Sequence, residues 1–120
     1  ADTLVSPEKK FAFTLATYSV KAGDTYEAVS RYFTGTTQSV RAIKFANEIE
    51  VLHTGDQLLV PVYTIQAGDT VYGISAAFDV SQQALIDGNS LDNPNFLIAG
   101  QYLIIPINCN EVTCAAYVAQ

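Results

Sequence analysis

The chain has 120 residues, 49% apolar and 15% charged, a balance that excludes an intrinsically disordered polyelectrolyte. A net charge of −6 repels phosphate backbones and anionic lipid, so neither nucleic acid nor a membrane surface is expected as a partner. No apolar run approaches the roughly 20 residues of a bilayer span.

Residues 1–17 read as an exposed leader, with Pro7, Glu8, Lys9 and Lys10 at its heart, and an extra strand is expected to start at Phe11, where aromatic and β-branched residues begin to crowd. Tyr18–Val20 then runs as a strand into the turn Ala22-Gly23-Asp24-Thr25. Gly supplies the freedom the turn needs, Asp ties it locally, and Thr stands where an N-cap oxygen serves a helix. Val29, Tyr32 and Phe33 fall at i, i+3 and i+4, one face of a short helix. Ser39 reads as the N-cap of a second helix, with Ile43 and Ala46 inward and Asn47 at a left-handed end. A turn at Thr54-Gly55-Asp56 leads to a strand over Leu58–Val62, whose Pro61 suits an edge or a strand terminus.

The same pattern then repeats. Tyr63–Ile65 leads into Ala67-Gly68-Asp69-Thr70, Ile74, Ala77 and Phe78 form the helical face, Ser81 caps a helix carrying Leu85, and Asn89 ends it. The run Tyr102–Ile107 with Pro106 closes the copy. Gly23 and Gly68, Gly55 and Gly100, and Pro61 and Pro106 are each 45 positions apart. The constant period hides two compensating changes: the first copy carries a three-residue insertion at Thr34–Gln38 and lacks three residues between Asn47 and Gly55. Two units are expected, residues 18–62 and 63–107, held in fixed relation because Val62 meets Tyr63 with no linker. Residues 108–120 form a tail.

Strand, Gly-Asp-Thr turn, two helices, Asn, loop, Gly-Asp or Gly-Gln, strand and Pro, in this order and twice over residues 18–107, resemble the lysin motif (LysM) carbohydrate-binding module. The resemblance implies an α+β fold in which each module packs a two-stranded antiparallel sheet on two helices. It further implies binding of N-acetylglucosamine polymers in a shallow groove between the first turn and the loop before the last strand. Carried onto the second copy, the walls are Gly68, Asp69, Thr70 and Val71 on one side and Asn93, Pro94, Asn95, Phe96, Leu97 and Ile98 on the other. In the first copy they are Gly23, Asp24, Thr25 and Tyr26 facing Ile49, Glu50, Val51 and Leu52, a loop that departs from the Asn-Pro-Asn form. The second copy is therefore expected to be the stronger sugar site. Asp69 and Thr70 also serve a turn and cap without any ligand, and Tyr26, Phe96 and Tyr102 are residues of a kind more often found in a core or rim than as a sugar platform.

No catalytic constellation accompanies this pattern. Asp24 and Asp69 occupy equivalent turns in separate copies, not the close pair a glycosidase uses, and His53 has no nucleophile signature beside it. The expectation is a binder, with no enzyme activity, metal or cofactor. Cys109 and Cys114 fit one small-loop disulfide in an oxidising compartment, or else two thiols on a tail; with His53 they are too few for zinc. Neither a basic apolar leader nor any Met is present, so the chain reads as a mature secreted protein.

The cysteine pair beside Ile105-Pro106-Ile107-Asn108 resembles the small secreted LysM effectors of fungi, which implies sequestration of chitin oligosaccharides outside the cell. Two alternatives stay open: an interaction protein that assembles with itself or with a receptor through a glycan bridge, forming a ligand-induced homo-oligomer, and a bacterial-type peptidoglycan-binding module.

Overall fold

The computed structural model describes residues 2–5, 12–107 and 118–119, with side chains over 13–107. Cys109, Cys114 and Phe11 lie outside the described residues. In chain order the elements are β1 (Asp2–Val5), β2 (Ala12–Ser19), α1 (Tyr26–Thr34), α2 (Val40–Asn47), β3 (Gln57–Thr64), α3 (Val71–Ala77), α4 (Gln82–Gly88), β4 (Tyr102–Ile104) and β5 (Val118–Ala119). The strands form one antiparallel sheet in the order β4-β3-β2-β1-β5. The architecture is α+β, with four helices around a central β4-β3-β2 triplet. The stretch expected to be a leader holds β1, which pairs with β2 from Asp2 opposite Leu15 to Val5 opposite Ala12.

The expectation of a separate two-stranded sheet for each copy is corrected by β3, a single strand that runs through the Val62–Tyr63 boundary. Its first half pairs with β2, Tyr18 opposite Leu58, and its second half with β4, Tyr63 opposite Leu103. That register is the same pairing moved by 45 residues. Because side chains alternate across a strand, an odd period within one continuous sheet sends equivalent residues to opposite faces. Ala16, Tyr18, Leu58, Val60, Val62 and Ile104 pack against Tyr26, Val29, Ala42 and Ile43 of the first helix pair. Phe13, Leu15, Tyr63, Ile65, Leu103 and Ile105 pack against Val71, Ile74, Phe78 and Leu85 of the second. Phe13 reaches the second core from β2, its ring edge-on to Phe78 at 5.4 Å between centroids.

Helix starts follow the sequence closely. Thr25, Thr70 and Ser81 accept the N–H groups of Ala28, Gly73 and Ala84 at 3.1, 3.0 and 3.0 Å. Ser39 differs: it makes no cap bond, and its hydroxyl donates to Asn89 Oδ1 at 2.7 Å across the two copies. Of the expected α1 face, Val29 is buried and Phe33 half-buried, while Tyr32 stands 73% exposed.

Asn47 and Asn89 do not take the left-handed positions expected of them; Glu48 and Ser90, one residue later, do, at φ 54° and 49°. Their side chains instead finish the sheet. Asn47 accepts Leu59 N–H at 2.7 Å and donates to Leu59 C=O at 2.9 Å, where β3 runs beyond the end of β4. Asn89 does the same for Ile104 on the outer side of β4, at 2.9 Å in both directions. Each amide thus replaces a missing neighbouring strand at a buried edge. Pro61 lies inside β3 and not at an edge. Its carbonyl takes Ile105 N–H at 2.9 Å, and the Ile105 carbonyl, which an N–H at position 61 would have met, takes Ile107 N–H at 2.8 Å. The proline thus costs one ladder bond but leaves the Ile105 carbonyl paired.

Candidate functional site

Each Gly-Asp-Thr turn is held by its aspartate. In the second copy Asp69 Oδ2 accepts Gln66 N–H at 2.7 Å and the Tyr63 hydroxyl, while Gly68 takes φ +87° to close the turn. In the first copy Asp24 Oδ2 accepts Lys21 N–H at 2.8 Å and the Tyr18 hydroxyl at 2.6 Å. The Tyr18 bond and then the Lys21 N–H hold the Asp24 carboxyl below the ordinary carboxylate range. Burial, followed by the bond to Asp69 and its charge, pushes the Tyr63 phenol well above its usual value of 10. Turn geometry thus accounts for Asp24, Thr25, Asp69 and Thr70 before any ligand is considered.

What the turn of the second copy adds is a wall. Asp69, Thr70 and Val71 face Pro94, Asn95 and Leu97 across a cleft of about 240 Å³. Its floor and one end come from Tyr72, Gln82 and Ile86, which sequence reading missed. Gln82 and Ile86 are four apart on α4, so one helix face meets the cleft; that spacing was the available signal. Asn93 shapes the opposite wall from behind, its carbonyl accepting Phe96 N–H at 3.0 Å and its side chain Asn95 N–H at 3.3 Å. Gly68 and Ile98 do not line the cleft, and Phe96 turns to the other side of the loop.

The first copy is built differently at the equivalent place. Tyr26, which stands where the second copy has Val71, is only 5% exposed and its hydroxyl donates to the Ile49 carbonyl. The ring thereby spans from the turn to the shortened loop, and Lys44 Nζ sits 5.4 Å from its centroid. Ile49 and Leu52 are half-buried against the first core, leaving Glu50 and Val51 exposed. Gly23 takes φ +84° in the turn, as Gly68 does. The walls named for the first copy are thus brought together, but Tyr26 occupies the space between them.

Among the described residues no group of three or more His, Cys, Asp or Glu side chains is placed to hold a metal ion. His53 is exposed and lies 3.8 Å from Asp56. No described helix is long and apolar enough to cross a membrane.

No curated protein matches the chain. Among solved structures, it is similar to the spore cortex-lytic enzyme SleL of Bacillus megaterium QM B1551, with 28% identity over 81% of this chain and 24% of that one, at a TM-score of 0.43. It is also similar to SleL of Bacillus cereus, with 28% identity over 80% of this chain and 23% of that one, at a TM-score of 0.38. The chain spans about a quarter of the length of each. The family model of the LysM domain matches residues 63–106, the second copy with its cleft. Residues 63–106 are a LysM domain, a binding module for N-acetylglucosamine-containing glycans that is not itself catalytic.

Proposed function

We propose that the chain binds chitin oligosaccharides in the cleft of its second copy and acts outside the cell by sequestering them, as a secreted effector of two tandem LysM modules. One observation carries this reading: the cleft stands open where Val71 faces Leu97, while Tyr26 fills its counterpart in the first copy. An N-acetyl sugar presents an amide and hydroxyls for backbone and side-chain pairing and a methyl for an apolar pocket. Thr70, Asn95 and Gln82 beside Val71, Ile86, Pro94 and Leu97 meet both needs. The net charge of −6 favours a neutral glycan over one bearing anionic peptide stems, and with an uncharged ligand the affinity is expected to be nearly independent of salt.

Calorimetry with chitin oligosaccharides and with soluble peptidoglycan fragments tests the reading. Leu97→Asp is expected to weaken chitin binding by about a hundredfold, the loss of apolar contact plus a buried charge, and Leu52→Asp by much less. A protein that prefers the peptide-bearing fragments, or that loses binding only on the Leu52 change, overturns it.

A further inference from the structure

We propose that the cleft between the two copies is a second sugar subsite, so that one N-acetylglucosamine chain lying in the first cleft continues across Leu97 and onto the first copy. The proposal rests on the sugar-binding reading above. Leu97 lines both clefts, the 240 Å³ one on one side of its loop and a smaller one of about 100 Å³ on the other. The second is walled by Thr34, Thr36 and Gln38, from the stretch that carries the three-residue insertion, and by Phe96, Gln101 and Tyr102 of the second copy. The insertion, which the turn and helix pattern left without a task, is what brings the first copy to this place.

The chemistry of the walls suits a sugar ring lying on them. Phe96 and Tyr102 are 69% and 47% exposed, two aromatic faces at a site whose other side chains are neutral, some polar and some aliphatic. The side-chain amides of Gln38 and Gln101 and the Tyr102 hydroxyl make no hydrogen bond to any described residue, so donors and acceptors for hydroxyl and acetamido groups stand ready. No charged residue lines this cleft, which fits a neutral glycan.

The floor is fixed before any ligand arrives. Ser39 donates to Asn89 across the copies at 2.7 Å, and Gly88 packs against Ala42, where an added Cβ would come within 3.0 Å. Binding therefore needs little reordering of the protein.

Titration with an N-acetylglucosamine trimer and hexamer, on the full chain, tests the proposal. The hexamer is expected to bind about tenfold or more tighter than the trimer, as one or two further hydrogen bonds and a ring contact would give. Tyr102→Ala and Gln38→Ala are expected to bring the two affinities together by weakening only the hexamer. The Gln38 side-chain amide resonances should shift with hexamer and not with trimer. Equal affinities in the wild-type chain, or a length preference that survives both substitutions, overturn the inter-copy subsite while leaving the first cleft standing. A doubling of particle mass with hexamer by light scattering also overturns it, because the added affinity then comes from bridging two molecules. If the trimer itself does not bind, the first-cleft reading fails and the subsite falls with it.

Discussion

Tyr63 and Asp69 show how a single contact serves two levels at once. The phenol belongs to the second core, edge-on to Phe78 with centroids 5.7 Å apart, and its hydroxyl donates to the carboxylate that shapes the wall of the cleft. Deprotonation would set a buried phenolate against that carboxylate, which is why the folded chain holds the Tyr63 proton above pH 10. A pKa raised on folding stabilises fully below the unfolded value and is lost as pH climbs from there through the folded value. Stability should therefore be flat from neutral pH to about pH 9 on this account and fall above 10. Tyr63→Phe is expected to cost about 1 to 2 kcal/mol at pH 7, through the lost bond to a charged acceptor. It should also make the alkaline fall shallower, leaving the part that Tyr18 and Tyr26, both raised, still contribute. Denaturant midpoints at pH 7 and pH 11 measure both effects; an alkaline slope unchanged by the substitution would contradict the assignment. Asp69, Thr70 and Val71 belong to the repeated turn, which carries its geometry locally, whereas Pro94, Asn95 and Leu97 lie in a loop the first copy does not share and were readable only through the resemblance to the LysM module. The part Asn89 plays was not readable, since its partners Ile104 and Ser39 lie 15 and 50 positions away and no local pattern reports them.

Helix α4 meets α2 where neither helix has a large side chain. An added Cβ at Gly88 would approach the Ala42 Cβ at 3.0 Å and its Cα at 3.3 Å, so the helices touch almost backbone to backbone. Gly88→Ala, which in an open helix gains up to about 1 kcal/mol, is expected here to cost about 1 to 2 kcal/mol through overpacking. Ala42→Gly in the same chain opens the space again. A double-mutant cycle should show coupling of about 1 kcal/mol or more, and additivity within a few tenths would mean the helices relax apart freely. The strands followed a different logic from the helices. Periodicity and caps located α1 to α4 well, because a helix makes its bonds within itself. The boundary at Val62–Tyr63 was placed where the motif restarts, but a strand is defined by its partners, and β3 has β2 along one side and β4 along the other.

Sharing β3 makes the two copies one structural unit. Phe13 and Leu15 of β2 pack on the second core, Ile104 of β4 on the first, and the Ser39–Asn89 bond joins the helical layers. Cutting the chain at the motif boundary would split β3 and strip buried apolar surface from both cores, each large side chain costing about 1.5 to 3 kcal/mol. Unfolding should accordingly be a single transition, even though the sequence repeats. Asn47→Ala provides the test, because its amide bonds lie wholly within the first copy, to Ile43 and Leu59. Leaving Leu59 N–H and C=O without partners at a half-buried edge is expected to cost about 2 to 4 kcal/mol. If the copies are one unit, the slowest-exchanging amides of both, such as Ile43 and Leu85, lose protection by that same amount, and calorimetry keeps one peak. Protection lost around Ile43 alone, or a second peak on heating, would show two domains that merely touch, and the fixed path from the cleft across Leu97 to the first copy would lose its rigid support.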